Sequence, residues 1–520
     1  MDYDYTDMDV IRFLRDGWPL NYTSSEWPST AERRNHKGAL DHKEFIDEWI
    51  ASEVAAGRIR GPFATPPLRN FVVSPLNTVP KPNTDVRRVI VDLSWPHGRS
   101  VNDGIEVATY LGEPSDLHFP TVDDISHMVR TLGPGCLMYK RDLKAAYRQF
   151  RVDSTDHHLL GYYWNGLYYY DTVLCMGQRA AALGCQRSTR SVAFIYTSSG
   201  RLCTVYIDDF IGVSPPMYAI SDFVALGELL RDLGLEENQL KACDPSTLQV
   251  ALGVQFDTTN MTMSVTQERL RDTHVMLRHW LRKRTVTKAQ LQHLIGKLLF
   301  ISKCVGSSRD FVNRLLRLLR TLPTASSKAK VTVEFRKDLA WWARFLDAYN
   351  GVSIIPHIGW TSADSVLATD ACLTGGGAVS HSLKRFVHFQ FPEAILSRDL
   401  HIHQLELLVV LAAVRLWAVE LRGQRLRLYC DNSPSVHAVN SGRTNDGFVS
   451  SCLRELWLVC SLHDIELRLE HIPGVENRLA DWLSRWHLDA KYRDLFLASV
   501  DDNYIDVHFD VKFIYFNDDL

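Results

Sequence analysis

The sequence predicts a multidomain chain of mixed α+β and α/β character, and three observations carry that reading. The chain has 520 residues, 46% hydrophobic and 23% charged, which is globular and long enough for several cores. Apolar runs of strand length stop repeatedly at an aspartate, as in Leu137 to Asp142, Thr204 to Asp208, Val366 to Asp370 and Arg427 to Asp431. Helical stretches separate them, including one around Leu407 to Val414 that is apolar on every face.

The elements follow in order. Met1-Asp2-Tyr3-Asp4-Tyr5 is acidic and does not read as a signal peptide. A helix is expected over Lys43 to Ile50, ending near Gly57, and Gly61-Pro62 and Pro66-Pro67 break the chain after it. An apolar strand then runs into Asp142. Thr204-Val205-Tyr206-Ile207-Asp208-Asp209-Phe210-Ile211-Gly212 reads as a tight hairpin with two carboxylates at its tip. Adjacent aspartates are common in solvated turns. Here both flanks are hydrophobic, and coordinating a metal is one way to offset the cost of burying charge. Hard divalent cations want oxygen ligands. A pair of them about 3.5–4 Å apart clamps the attacking and leaving oxygens of a phosphoryl transfer, and Asp142 with the hairpin offers such a clamp.

Between Glu268 and Lys330 there are fifteen Lys or Arg against three Asp or Glu, among them Arg282-Lys283-Arg284, Arg309, Arg314, Arg317 and Arg320. The last three recur at helical spacing beside leucines, which suits either a solvated face or a face that tracks phosphates. Thr324 to Lys330 reads as a hinge, and Phe335 to Tyr349 as a helix packed down by Trp341 and Trp342. Four carboxylates follow: Asp370 at a strand end before the Gly375-Gly376-Gly377 return, Glu406 in the apolar helix, Asp431 at a strand end and Asp481 on a helix. Each alone has a bland explanation as a cap or surface charge. From His487 to Leu520 there are eight Asp against three Lys or Arg, an acidic tail. The ten cysteines show no Cys-x-x-Cys pair and are expected as reduced thiols rather than zinc ligands. No apolar stretch is long enough to span a bilayer, so no membrane partner is expected, and the chain is expected inside the cell, in cytoplasm or nucleus.

Taken together these segments resemble reverse transcriptases followed by a ribonuclease H. Asp142 with Tyr147, and Tyr206-Ile207-Asp208-Asp209, resemble the family's two catalytic motifs. Val79-Pro80-Lys81-Pro82 and Arg87-Arg88-Val89 resemble the fingers segment, which implies Lys81 and Arg88 as ligands of the incoming triphosphate. Cys175-Met176-Gly177-Gln178 resembles the motif in which a glycine, here Gly177, lets the backbone approach template and nucleotide, although many relatives have Pro-Phe or Pro-Gln where this chain has Cys175-Met176. Leu233 to Lys241 resembles the motif whose lysine, here Lys241, protonates the leaving pyrophosphate. Asp370, Glu406, Asp431 and Asp481 match the order of the ribonuclease H carboxylates, and His471 the mobile histidine of some relatives. Tyr147 would lie under the ribose and exclude a 2′-hydroxyl. Ser74-Pro75-Leu76-Asn77, Lys144 to Gln149 and His471-Ile472-Pro473-Gly474 look most like DIRS-type (tyrosine-recombinase) retroelements, with gypsy-type elements as near neighbours.

The resemblance implies a right-hand polymerase of fingers, palm and thumb, followed by an RNase H-like mixed-sheet domain. The expected division is an N-terminal extension over 1–62, fingers and palm over 63–258, thumb or connection over 262–325, a linker region over 326–363, the RNase H-like domain over 364–486 and the acidic tail over 487–520. It implies an RNA-directed DNA polymerase with ribonuclease H activity, two Mg2+ ions (or Mn2+) in each active site, and RNA template, RNA/DNA hybrid and dNTPs as partners. A retroelement recombinase or capsid-like protein would be a further partner, but neither a recombinase signature nor an aspartic-protease triplet is in the chain. The alternative from another class is a decayed or domesticated copy that binds nucleic acid only as a scaffold, though such a scaffold has no need of complete carboxylate sets. A small-molecule phosphotransferase would want a Gly-x-x-x-x-Gly-Lys loop, which is missing.

Overall fold

The computed structural model describes residues 7–30, 34–80, 86–106, 108–114, 118–304, 310–348, 352–354, 363–442, 444, 446–463 and 465–515. Lys81 and Arg309 lie outside them, and so does the side chain of Arg314. The chain forms two compact units, Met1–Leu252 with Thr258–Asn260, and Gly253–Asp257 with Met261–Leu520.

In the first unit the expected N-terminal helix spans Lys43–Ala55 (α1), burying Ile46 and Ile50 at i, i+4. A two-stranded hairpin pairs Leu76–Pro80 with Arg87–Val91. The central sheet contains Leu137–Asp142 (β1), Leu202–Tyr206 (β2), Asp209–Ser214 (β3) and Cys243–Ser246 (β4), in the antiparallel order β4-β1-β3-β2. Helix Ala181–Thr197 (α2) packs on β2 and helix Ala219–Asp232 on β1. The sheet buries Met138, Tyr139, Phe210 and Ile211 completely, each such side chain contributing about 1.5–3 kcal/mol of transfer free energy. Polar atoms inside this core are joined up. The Tyr139 and Tyr196 hydroxyls lie 2.7 Å apart, and Tyr196 donates on to the Asp222 carbonyl at 2.7 Å, which avoids the penalty of an unmade buried hydrogen bond.

The basic segment of the second unit is helical, as expected: Gln267–Leu281, Lys288–Ile301 and Asp310–Arg320, followed by Val333–Ala348. The expected hinge is more ordered than its small polar residues suggested. Lys328–Lys330 pairs antiparallel with Thr285–Thr287, and Thr324 opens a turn closed by Ser327. The cross-strand backbone hydrogen bonds, invisible in a local reading, hold it. Trp341, Trp342 and Phe345 are buried together, as expected.

The remaining sheet of this unit has Ser365–Ala371 (β5), Gly375–Ser380 (β6), Arg385–Gln390 (β7), Arg425–Cys430 (β8) and Glu466–His471 (β9). Its order is β9-β8-β5-β6-β7, with β5, β6 and β7 antiparallel and β8 and β9 joining in parallel. Helix Ile402–Leu416 (α3) crosses β5 and β6, with every residue from Leu405 to Val414 buried. Helix Gly447–Leu462 (α4) packs against α3, and helix Arg478–Ser484 (α5) against β5 and β6. The segment read as an acidic tail contains helix Ala490–Ser499 with a fully buried Phe496. Its Ile505–Asp506 pairs with β7, and Phe509 stacks on Phe389 at 3.8 Å. Among the described residues no helix is long and apolar enough to cross a membrane. All ten cysteines are free thiols, as expected.

Candidate active sites

The first site grows out of the β1–β3 pairing. The register puts Asp142 directly opposite Asp209, and Asp209 opposite Tyr206 across a two-residue turn of Ile207 and Asp208. Three carboxylates separated by 66 residues in sequence thus meet at one end of one sheet. The turn is strained, because Ile207 is β-branched yet has φ +58°. Gln186 of α2, fully buried, holds it: the Ile207 N–H donates to Gln186 Oε1 at 2.5 Å, and Gln186 Nε2 donates to the Val205 carbonyl at 2.9 Å.

Two lysines reach the carboxylates. Lys241 Nζ donates to both oxygens of Asp142 at 2.8 and 2.9 Å, and Lys140 Nζ lies 2.8 Å from Asp209 Oδ2. Burial, and then the charge of Asp142, raises the pKa of Asp208 above the usual carboxylate range. Burial also raises that of Asp209, against the pull of Lys140. The donor set is all carboxylate oxygen, crowded enough that each charge opposes the next. That is the chemistry a hard divalent cation fits.

The site opens into a cavity of about 570 Å³. Asp142, Asp208, Tyr147, Arg88 and Lys241 line it, so five of the residues singled out in the sequence come together. Arg88 is exposed, and burial pushes the Tyr147 hydroxyl up to about 12. Gly177 is not among the lining residues, although Cys175 and Met176 are. It has φ +108°, and a Cβ there would meet the Val91 carbonyl oxygen at 2.3 Å. The close approach it permits is therefore to the strand that carries Arg88. Helix α1 also reaches the cavity, through Phe45, Trp49 and Glu53.

The second site lies where β5, α3, β8 and α5 converge. Asp370 and Glu406 are buried, at 4% and 3% exposure. Glu406 Oε1 accepts from the Ala371 N–H at 3.1 Å, and the Cys430 thiol lies 3.8 Å from Glu406 Oε2. One ligand atom each of Glu406, Cys430 and Asp431 fall within 4.8 Å of one another. Ser484 Oγ donates to Asp370 Oδ2 at 2.5 Å, and Arg485 pairs with Asp481 at 2.8 Å. Burial first, and then the charges of Asp431 and Asp481, pushes Asp370 up to about 7. Burial and the charge of Asp370 raise Glu406 well above its ordinary value. Asp431 is raised by burial and then by Asp481. Asp370, Glu406 and Asp431, whose ionisation is suppressed, form with Asp481 an oxygen-rich nest suited to a hard cation, with one thiol at its inner edge. His471 Nε2 stands 3.1 Å from the Asp431 carbonyl oxygen, on the exposed rim.

Gln186, Lys140, Glu53, Ser484 and Arg485 were not singled out by sequence. Lys140 was within reach of period-2 reasoning, since it shares a strand face with Asp142. Ser484 and Arg485 follow Asp481 at i+3 and i+4 on one helix. Gln186 and Glu53 carried no local signal.

The sheet topologies and the placement of these sites define a class: the chain has a reverse transcriptase-like polymerase fold. Two solved structures show it, both of foamy viral protease–reverse transcriptase in complex with double-stranded DNA. One, designated dRH, is 14% identical, with a TM-score of 0.51 over 88% of this chain and 73% of that chain. The other is 15% identical, with a TM-score of 0.51 over 88% of each chain. At these identities the likeness is one of fold. No protein-family model matches the sequence, and no curated protein does.

Proposed function

We propose that the chain is an RNA-directed DNA polymerase of a retroelement, DIRS-type or gypsy-type, with ribonuclease H activity in its C-terminal third. The convergence of Asp142, Asp208 and Asp209 at one end of one sheet, beside a cavity that Asp142 and Asp208 line together with Tyr147 and Arg88, carries this reading. The polymerase occupies 63–258 and 262–325, preceded by 1–62, and the ribonuclease H occupies 364–486 beyond the 326–363 linker, with 487–520 after it. RNA template, RNA/DNA hybrid and dNTPs are the partners it requires.

Asp142, Asp208 and Asp209 would hold two Mg2+ or Mn2+ ions, as would Asp370, Glu406, Asp431 and Asp481, and these supply charge stabilisation and an activated attacking oxygen. Arg88 and Lys81 bind the triphosphate, Arg88 through its planar fork. Tyr147 lies beneath the sugar, and the 2′-hydroxyl is what it senses. Gly177 seats the Cys175–Met176 backbone against the strand that carries Arg88, on the wall of the cavity where template and nucleotide would lie. Lys241 holds a proton at Nζ for the leaving pyrophosphate, and His471 one for the leaving oxygen in the second site. Positioning and charge stabilisation supply most of the catalysis.

Primer extension by the purified chain, on a primed RNA template with dNTPs and Mg2+, tests the reading, with cleavage of a labelled RNA/DNA hybrid beside it. Extension and RNA-strand cleavage are expected. Hybrid binding without either reaction would return the chain to the scaffold reading.

A further inference from the structure

The turn that carries Tyr147 is fastened from both sides by its neighbours. Tyr147 sits in a short 3-10 segment, Ala146–Gln149, entered through Ala145 at φ +48°. A left-handed alanine is strained by its Cβ, and such a conformation persists only where the surroundings over-determine it.

Two residues do so. Arg148 donates through Nε to Glu53 Oε2 at 2.8 Å and through an Nη to Asp171 Oδ1 at 2.6 Å, with a second Nη 2.7 Å from Glu53. Its guanidinium also lies 5.3 Å from the ring centroid of Trp49. Asp171 is completely buried and Glu53 nearly so, and Arg58 pairs with Glu53 from the other side at 2.8 Å. On the opposite flank Gln149 Nε2 donates to the Lys144 and Glu236 carbonyls at 2.7 and 2.8 Å, and the Glu236 N–H returns a bond to Gln149 Oε1 at 2.7 Å. Tyr147 is thus tied through Arg148 to helix α1, 95 residues away, and through Gln149 to the loop that leads to Lys241, 87 residues away.

We propose that Arg148, clamped by Glu53 and Asp171, is the positioning residue that sets sugar discrimination at this site, which makes helix α1 a working part of the nucleotide pocket. The inference rests on the polymerase reading. The chemistry is positional. A bidentate arginine between two fixed carboxylates leaves the turn no freedom to tilt, and a ring that cannot tilt cannot make room for a 2′-hydroxyl. Loosening the clamp lets ribonucleotides in before it removes catalysis, because Asp142 is held by β1 rather than by this turn.

The test is the ratio of kcat/KM for an rNTP to that for the matching dNTP, in primer extension by the full chain. Glu53→Gln is the principal variant, since it keeps shape and removes the charge from the clamp. Arg148→Lys keeps the charge but loses the fork, Gln149→Ala loosens the other flank, and thermal melts accompany each. Expected for Glu53→Gln and Arg148→Lys is a ratio raised on the order of tenfold, the scale of a sub-ångström misplacement of a reacting group, with the dNTP KM rising more than kcat falls. Gln149→Ala is expected to raise the ratio less. A folded Glu53→Gln protein with an unchanged ratio, or one that loses both nucleotides equally, overturns the inference. Failure of the unaltered chain to extend a primer at all overturns the polymerase reading instead, and this inference with it.

Discussion

The environment of Asp370 changes its chemistry. Its folded pKa, about 7, lies above the ordinary 3.8 of an unfolded chain, because burial and neighbouring carboxylates disfavour the charge. A group raised in this way binds more protons folded than unfolded. Its stabilising effect is therefore full below about pH 4 and is lost as pH rises through about 7. In chelator, the melting temperature of the protein relative to an Asp370→Asn variant should fall across that window. Adding Mg2+ above pH 7 should raise the melting temperature of the unaltered protein and leave the variant unmoved, since an ion bound by the folded state stabilises it. A flat difference across the pH series would mean that the cluster does not strain Asp370.

At the scale of elements, helix α5 is seated by the absence of a side chain. A Cβ on Gly377 of β6 would meet Leu483 Cβ at 2.3 Å and the Ser484 nitrogen at 2.6 Å, both on α5. Gly377→Ala should push α5 off the sheet, move Asp481 and Ser484 away from Asp370, and cost on the order of 1–3 kcal/mol as overpacking does. Hybrid cleavage should fall at least tenfold while primer extension is kept. Equal loss of both would show that the change acts on folding of the whole chain. Another element carries the salt dependence. In helix Asp310–Arg320 Leu315 is buried, whereas Arg317 and Arg320 are exposed. If that face tracks phosphates, replacing both arginines with Gln should reduce the slope of log affinity against log salt by about 2 for a hybrid, roughly one per lost contact. An unchanged slope would make it a solvated face.

The two carboxylate sets lie in different compact units, and this decides how the whole molecule responds to damage. Asp208→Asn should abolish primer extension and leave hybrid cleavage within about twofold, since sites without shared partners act additively. Asp431→Asn should do the reverse. Both activities measured on each folded variant check this, and loss of both from either change would contradict two independent sites.

The sequence by itself determined on which elements the candidate carboxylates sit. A strand ending in Asp142, a tight hairpin with Asp208 at its tip, and Glu406 alone in an apolar helix are local patterns, because side-chain period and turn chemistry are set by a few consecutive residues; Asp209, expected at the tip as well, lies instead in β3 opposite Asp142. Only the tertiary structure decided what holds those groups in place. The strained Ile207 depends on Gln186, twenty-one residues away, and the Tyr147 turn depends on Glu53, ninety-five residues from Arg148. The acidic composition after His487 suggested a solvated tail, yet Phe496, Phe509 and Ile514 pack against the sheet and helices before it. Partners brought together by packing leave no periodicity in the chain, and a buried charge can be recognised as paired only once its opposite number is in place beside it.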